Sequence, residues 1–509
     1  METERAPHRM GAAEWVVHRI RVVTGAPLRR TAAISGVLVV VLLCLLDLAY
    51  RSRFGDLHSF CQGVIAWWHG QDPYGQLPAT YAGGTPGFIY PPFALLPLSV
   101  FAALPFPAAA VLSVLISCAC LGVTCFAVLR GVWPRGGVRG CLHVTVLVMP
   151  LLLVLEPVRN TVGHGQVNLW LMALVAADCL VERPKWPRGT LIGIAAAIKI
   201  TPAAFVLFLV ARKDFRAAVV AAVTAALSTG ATFALMPVES DRFWCGGVLA
   251  GPVGIVNRDN QSIAAGLHRL GLAGSWHTAA WLALAGLVLM ISVVIMRRVG
   301  TEAAMVTNGF AALLISPLSW TAHWVWVAPA LVVYAATVLP ASAGRPTRVR
   351  DRSCYVLIAV TVFLMVGPQV VTPAEGPWAG WQYLLVNAYP LAALGLLVVG
   401  AVQLRVRRWV MVGTVLGTVA PVDHRHGDPT VAHTVLCGRS SPFCVRIRSH
   451  GVTAVARRTL ACTSWQTLVL GAARPVRAPR CTTRCVSCSP RGATSRRCGK
   501  CPSGPVCTR

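Results

Sequence analysis

Charge is scarce in this chain: 13% of its 509 residues are Asp, Glu, Lys or Arg, and only 18 are acidic. Soluble domains carry roughly a quarter charged residues, so a water-solvated globule is excluded. Short alternating strands are missing, which excludes a closed membrane barrel. No Gly-rich phosphate loop and no Asp-X-Asp pair occur, so the usual equipment for a nucleotide-sugar donor is absent, and nothing in the sequence demands a metal or another cofactor. The first apolar run begins only near Thr31, behind six arginines, and no small-residue cleavage site follows it, which argues against a removable signal peptide.

What the chain has in quantity is apolar length. Hydrophobic residues make up 55% of it, and apolar stretches of 15 to 24 residues recur along the first four hundred positions. That is the length needed to cross a hydrocarbon core of ~30 Å. An all-α polytopic membrane protein is expected, with crossings at 31–49, 107–129, 141–155, 166–182, 214–236, 277–296, 302–318, 322–340, 354–371 and 383–403. Threaded with the N-terminus inside, the inner segments hold 24 Lys and Arg and the outer ones 6. This is the asymmetry expected of a plasma-membrane protein. It also accounts for most of the net charge of +28 without invoking nucleic acid.

Two stretches do not read as simple spans. Pro91–Pro105 is short and rich in proline, and is expected to lie in the outer leaflet or fold back. The run 189–210 is interrupted by Lys199-Ile200-Thr201-Pro202 and flanked at both ends by basic residues. A re-entrant or broken helix pair meeting at Lys199 satisfies those flanks, provided protein or water covers the break. Counted as a pair of spans, it raises the total from ten toward twelve.

The unusual polar clusters fall on the outer side of this threading: Asp56 and His58, then His164, Gln166 and Asn168, then Arg258-Asp259-Asn260-Gln261-Ser262, and Ser316-Pro317-Leu318-Ser319-Trp320 leading to His323. Four distant segments converging on one face suggest a cavity at the outer membrane boundary. Each residue also has a plainer reading. Asp56 fits an ordinary loop carboxylate, although Trp67, Trp68, Asp72 and Tyr74 follow it. Gln166, Asn168 and Asn260 fit interhelical hydrogen-bonding. Single histidines bond neighbouring backbone, and Lys199 can snorkel. A lysine midway in an apolar run costs a few kcal/mol, so an anionic partner is its default expectation. Asp47 and Asp178 are expected only to pair helices.

After Val419 the composition changes. Residues 421–509 carry 15 Lys and Arg against 2 Asp, and 9 of the 18 cysteines. Cys481, Cys485, Cys488, Cys498 and Cys501 have zinc-like spacing, but the Arg/Cys/Ser/Pro/Thr mix resembles a frame-shifted reading more than a zinc module. Three segments are therefore expected: 1–30 cytoplasmic, 31–410 the membrane domain, and 411–509 a basic tail, disordered or aberrant.

Seven elements in order, Asp56-Leu57-His58, Gly70-Gln71-Asp72-Pro73-Tyr74, Tyr90-Pro91-Pro92-Phe93, Gly165-Gln166-Val167-Asn168, Lys199-Ile200-Thr201-Pro202, Asn260-Gln261-Ser262 and Ser316-Pro317-Leu318-Ser319-Trp320, resemble the actinobacterial polyprenyl-phosphomannose-dependent α-mannosyltransferases of glycosyltransferase family 87. The resemblance spans about residues 31 to 405. It implies a GT-C-type bundle, a polyprenyl-phosphate-mannose donor, a glycolipid or lipoglycan acceptor of the phosphatidylinositol mannoside, lipomannan or arabinomannan class, α-1,2 linkage, and an extracytoplasmic active site. In such enzymes the aspartate after the first span is the catalytic base, a role that falls on Asp56. The family usually shows two adjacent histidines after the Ser-Trp element, whereas this chain has Ala322-His323.

Inverting transfer is the expected chemistry, with Asp56 as base and His58, Gln166, Asn168, Lys199, Asn260, Gln261 and His323 as substrate-binding residues. The rivals are a lipid or sugar transporter and a catalytically inactive family member. Transporters often carry an internal repeat, and neither Asp-Leu-His nor Lys-Ile-Thr-Pro recurs in the other half of the chain.

Overall fold

The structure is a computed structural model, and it describes residues 54–80, 87–248, 256–341, 347–367 and 371–417, with Gly36 and two short strands in the tail. The expected first crossing, residues 1–30, Asp47 and most of 421–509 lie outside the described residues.

Among the described residues four helices are long and apolar enough to cross a membrane: Phe106–Val132, Pro134–Leu153, Phe215–Leu235 and Gly274–Met296. Seven shorter apolar helices accompany them, including Asn168–Leu180, Thr301–Ile315 and Ala388–Gln403. The chain is a multi-pass membrane protein. Its outer helices show why. Along Phe215–Leu235, Phe215, Val219, Val223 and Leu227 stand exposed while Ala217, Ala218 and Ala221 are buried. Large apolar residues thus face lipid and small ones face protein. The small face meets Thr190–Ile198, where a Cβ added at Gly193 would come within 2.6 Å of the Ala221 carbonyl, the close backbone approach that small residues permit.

Lys199 sits at a break, as its sequence context predicts. Thr190–Ile198 ends at Lys199 with an extended backbone (φ −149, ψ 133), followed by a 3-10 turn Thr201–Ala204 and the helix Phe205–Ala211. Pro202 has no N–H to donate to the Ile198 carbonyl, so the α-helix cannot run on through it unbroken. The carbonyl of Ala204, at the start of that helix, also accepts from Asn308 Nδ2 at 3.1 Å, which ties the break to the helix Thr301–Ile315. At the other end of Thr190–Ile198, the fully buried Asp178 carboxylate accepts from Gly189 N (2.9 Å), Ile192 N (3.0 Å) and Trp186 Nε1 (3.0 Å). Asp178 is a helix cap.

Where a loop was expected after the first crossing, Gly55–Trp68 is a helix. Leu57, Phe60, Cys61 and Val64 are buried, an apolar stripe of helical period, and Asp56 occupies the first turn, where the helix dipole favours a negative charge. The proline-rich stretch forms the eight-residue helix Leu95–Ala102, which buries Leu95, Leu98 and Phe101 and is about 12 Å long, too short to cross. The last long helix, Ala388–Gly417, runs through the 410/411 boundary expected from composition. Beyond it His433–Leu436 and Val445–Arg448 pair antiparallel.

Candidate active site

Five of the predicted site residues form one continuous run of hydrogen bonds. Gln166 Nε2 donates to Asp56 Oδ2 at 2.6 Å. Asn168 Nδ2 donates to Gln166 Oε1 and, at 3.0 Å, to the Ala322 carbonyl. Lys199 Nζ donates to Asn168 Oδ1 at 2.9 Å and meets His323 Nε2 at 3.0 Å. Asp56 and His323, from distant parts of the chain, are thereby joined through three intervening side chains.

Local structure explains how they meet. The helix Glu156–His164 ends at Gly165, in left-handed conformation (φ 69), and a Cβ there would lie 2.6 Å from Leu57 Cβ. Glycine is needed on both counts, and it lets the turn carrying Gln166 lie against the helix carrying Asp56. His323 rides on the 3-10 turn Thr321–Trp326, which is tied back to the Glu156–His164 helix by Asn160 Nδ2 donating to Thr321 Oγ1 at 3.2 Å and by Thr161 Oγ1 donating to the Ala322 carbonyl.

The chemistry of each amide is determined by its neighbours. A carboxylate only accepts and an ammonium only donates. Gln166 must therefore turn its NH2 to Asp56 and its oxygen to Asn168, and Asn168 must turn its oxygen to Lys199. The ammonium donates to His323 Nε2, so the ring proton sits on Nδ1. That Nδ1 is buried and has no hydrogen-bond partner among the described residues. Beside it a cavity of about 40 Å³ is lined by Asn168 and His323 together with apolar side chains such as Pro202, Phe205 and Trp326. Among the described residues Lys199 is held by neutral groups, Asn168, His323 and the Tyr90 ring 5.3 Å away. Gln166 and Asn168 stand between it and Asp56 in the run, so none of these direct partners of the ammonium carries a negative charge.

The other predicted residues behave differently. His58 lies two positions past Asp56 on one helix, where side chains point apart rather than together, and its ring sits edge-on to Phe106 at 5.1 Å. Burial lowers its pKa below that of an ordinary imidazole. Asn260 and Gln261, expected to bind substrate, lie off this run and hydrogen-bond to nearby backbone. Asn260 Oδ1 accepts from Ser319 N at 3.1 Å and Nδ2 donates to the Pro317 carbonyl at 3.3 Å. Gln261 is fully buried, donates to the Arg258 and Val386 carbonyls (2.6 and 2.7 Å) and accepts from Tyr389 N at 3.3 Å. Both brace the segment 258–262 against 316–320 and the last long helix, because a buried amide without partners would be strongly unfavourable.

Sequence reasoning missed Glu156. It is buried, accepts from Asn160 Nδ2 at 2.5 Å and from the Tyr389 hydroxyl, and so links the last long helix to the turn bearing His323. Burial raises its pKa above the ordinary carboxylate range, with the Tyr389 bond and Arg159 pulling the other way. A lone acid among so few, followed by proline at a helix start, was the available signal.

The profile of glycosyltransferase family 87 matches residues 88–317. A polyprenol-phosphate-mannose-dependent alpha-(1-2)-phosphatidylinositol mannoside mannosyltransferase of Mycolicibacterium smegmatis is 32% identical over 359 residues, covering 66% of this chain and 79% of that protein. The chain belongs to glycosyltransferase family 87. A Mycobacterium tuberculosis protein of the same description is 34% identical over 301 residues (55% of this chain, 69% of the relative). A polyprenol-phosphate-mannose-dependent alpha-(1-2)-phosphatidylinositol pentamannoside mannosyltransferase of M. tuberculosis is 29% identical over 408 residues (76% and 92%). No solved structure matches the chain. Within this family 87 protein the profile match holds Gln166, Asn168 and Lys199 but stops short of Asp56 and His323; the hydrogen bonds above are what join those two to it.

Proposed function

We propose that this protein transfers mannose from a polyprenyl-phosphate-mannose donor to a phosphatidylinositol mannoside acceptor, forming an α-1,2 linkage with inversion at an extracytoplasmic site. The observation that carries the reading is the run from the Asp56 carboxylate to a half-buried Lys199–His323 pair whose direct hydrogen-bond partners are neutral. A base at one end and an anion site at the other are what displacement at a glycosyl phosphate requires.

Asp56 takes the proton of the acceptor hydroxyl as that oxygen attacks the anomeric carbon, and the bond from that carbon to the phosphate oxygen breaks. Base catalysis of this kind contributes ~10²–10⁴-fold. Polyprenyl phosphate departs as the anion of a strong acid, so no general acid is needed. Its growing charge is met by the Lys199 ammonium and by the His323 Nδ1–H, donors held in place before the reaction begins. One inversion of a β-linked donor gives the α product, whereas retention would ordinarily call for a nucleophilic carboxylate opposite the base. The names of the relatives support the donor, the acceptor class and the linkage. The 24-to-6 distribution of basic residues supports the outer location.

A catalytically inactive member is the second reading, because Ala322 stands where the family usually shows a histidine. Ala322 contributes its backbone carbonyl, as acceptor for Thr161 and Asn168, and His323 supplies the imidazole. The site is thus assembled without a second histidine. Membranes containing the protein, supplied with labelled polyprenyl-phosphomannose and phosphatidylinositol mannosides, should form a longer, α-mannosidase-sensitive glycolipid. Asp56→Asn should lower the rate ~10²–10⁴-fold; transfer at the wild-type rate would remove Asp56 from the mechanism.

A further inference from the structure

Two of the sequence elements, Gly70-Gln71-Asp72-Pro73-Tyr74 and Tyr90-Pro91-Pro92-Phe93, take no part in the run from Asp56 to His323, yet both lead to Lys199. Tyr90 is buried, and the Lys199 Nζ lies 5.3 Å from the centroid of its ring. That is inside the ~6 Å range over which a ring face attracts a cation. Two of the three ammonium N–H groups go to Asn168 and His323, and the ring covers another side.

The ring is itself held from several directions. Phe60 meets it edge-on at 4.9 Å and Phe88 lies tilted against it at 6.1 Å. Tyr74 Oη donates to the Tyr90 carbonyl at 3.0 Å. Tyr74 N in turn donates to Asp72 Oδ1 at 2.9 Å, and Asp72 pairs with Arg242 at 2.8 Å. Pro91 and Pro92 limit the backbone immediately after the ring, with Pro92 opening a 3-10 turn. Much structure is devoted to placing one aromatic face.

We propose that Tyr90 is a positioning residue whose ring face holds the Lys199 ammonium aimed at the donor phosphate, with the 70–74 turn as its brace. This rests on the reading of Lys199 as the phosphate-binding cation. A carboxylate in the same place would hold the lysine more tightly but would cancel its charge toward the phosphate. A ring attracts the cation through its quadrupole and leaves the net charge intact. Together with two neutral polar partners it forms a cradle that fixes the cation without neutralising it.

The test replaces Tyr90 in the full-length membrane-embedded protein by Phe, by p-cyanophenylalanine and by Leu, and measures labelled mannose transfer at varied donor concentration. Phe keeps the ring face and should stay within about threefold of wild type. The cyano ring keeps the shape but drains the face, and it should lose roughly ten- to thirty-fold in kcat/KM for the donor, as should Leu. KM for the acceptor should not move. A purely structural residue would show no such dependence on ring electronics. Equal activity of the Phe and cyano variants, or a Phe variant as weak as Leu, overturns the inference, and the cyano variant decides the matter if Leu fails to accumulate. Wild-type protein that transfers no mannose would overturn both this inference and the functional reading, whereas an active wild type with a flat series overturns this inference alone.

Discussion

Replacing Lys199 with Met should disable transfer while leaving the bundle folded, and the size of each effect follows from the lysine's surroundings. On the stability side two terms oppose each other. The substitution removes hydrogen bonds from Nζ to Asn168 at 2.9 Å and His323 at 3.0 Å, each worth ~1.5–3 kcal/mol for a charged donor. It also relieves the burial of an ammonium, ~2.5–3.5 kcal/mol at mid-membrane by insertion scales. No ion pair to Lys199 is broken among the described residues, so the ~3–5 kcal/mol penalty of orphaning a buried partner charge does not arise. The net loss is therefore at most about 3.5 kcal/mol. On the catalytic side the leaving phosphate loses a preorganised cation, which lowers the rate by ~10²–10³. Thermal unfolding of the detergent-solubilised variant, paired with initial rates per folded molecule, reads both. A folded Met variant that transfers mannose within about threefold of wild type would refute the assignment of Lys199 to the phosphate.

Two further outcomes follow from the neighbouring groups. Gln261→Ala leaves the Val386 carbonyl and the Tyr389 N–H without the partners they have now, so it should destabilise the protein by ~1–3 kcal/mol. Its kcat per folded molecule should be unchanged, and a selective rise in acceptor KM at unaltered stability would show that Gln261 binds substrate after all. Glu156, whose folded-state pKa is raised by burial, gives a pH signature. The folded chain binds its proton more tightly than the unfolded chain, so this contribution is fully present below the unfolded value of ~4.3 and declines as pH climbs through the folded pKa. Melting temperature against pH should show that slope in the wild type and a flatter one in Glu156→Gln.

Much of the fold is legible in the sequence because lipid imposes a length and a composition on anything that crosses it. The Phe106–Val132 and Gly274–Met296 helices fall within a few residues of the expected crossings at 107–129 and 277–296. The break at Lys199 is legible for a related reason: a proline removes one helix hydrogen bond, and a charge three residues before it in an apolar run needs polar company that lipid does not offer. The Gly55–Trp68 helix is less visible. It has no side-chain cap and starts from a left-handed Phe54, so the usual start signal is missing. In the site, residue types alone do not separate amides that join the run of side chains from those that close onto backbone. Gln166 and Asn168 lie on the run to Asp56, whereas Asn260 and Gln261, equally polar and equally outer in the threading, close onto backbone carbonyls. Glu156 and Tyr389 are 233 positions apart, and no local pattern announces such a pairing.

The two carboxamides between Asp56 and Lys199 have one more consequence. A carboxamide passes on the orientation of a hydrogen bond, but it does not take up a proton on one side and release it on the other unless it isomerises to a far less stable form. Gln166 and Asn168 therefore act as an insulating spacer: the two ends of the site sense each other's charge, yet no proton travels between them. In the proposed mechanism the hydrogen taken from the sugar hydroxyl stays on the aspartate side of that spacer. Reprotonation of the departing lipid phosphate is then a separate event, supplied by its own surroundings.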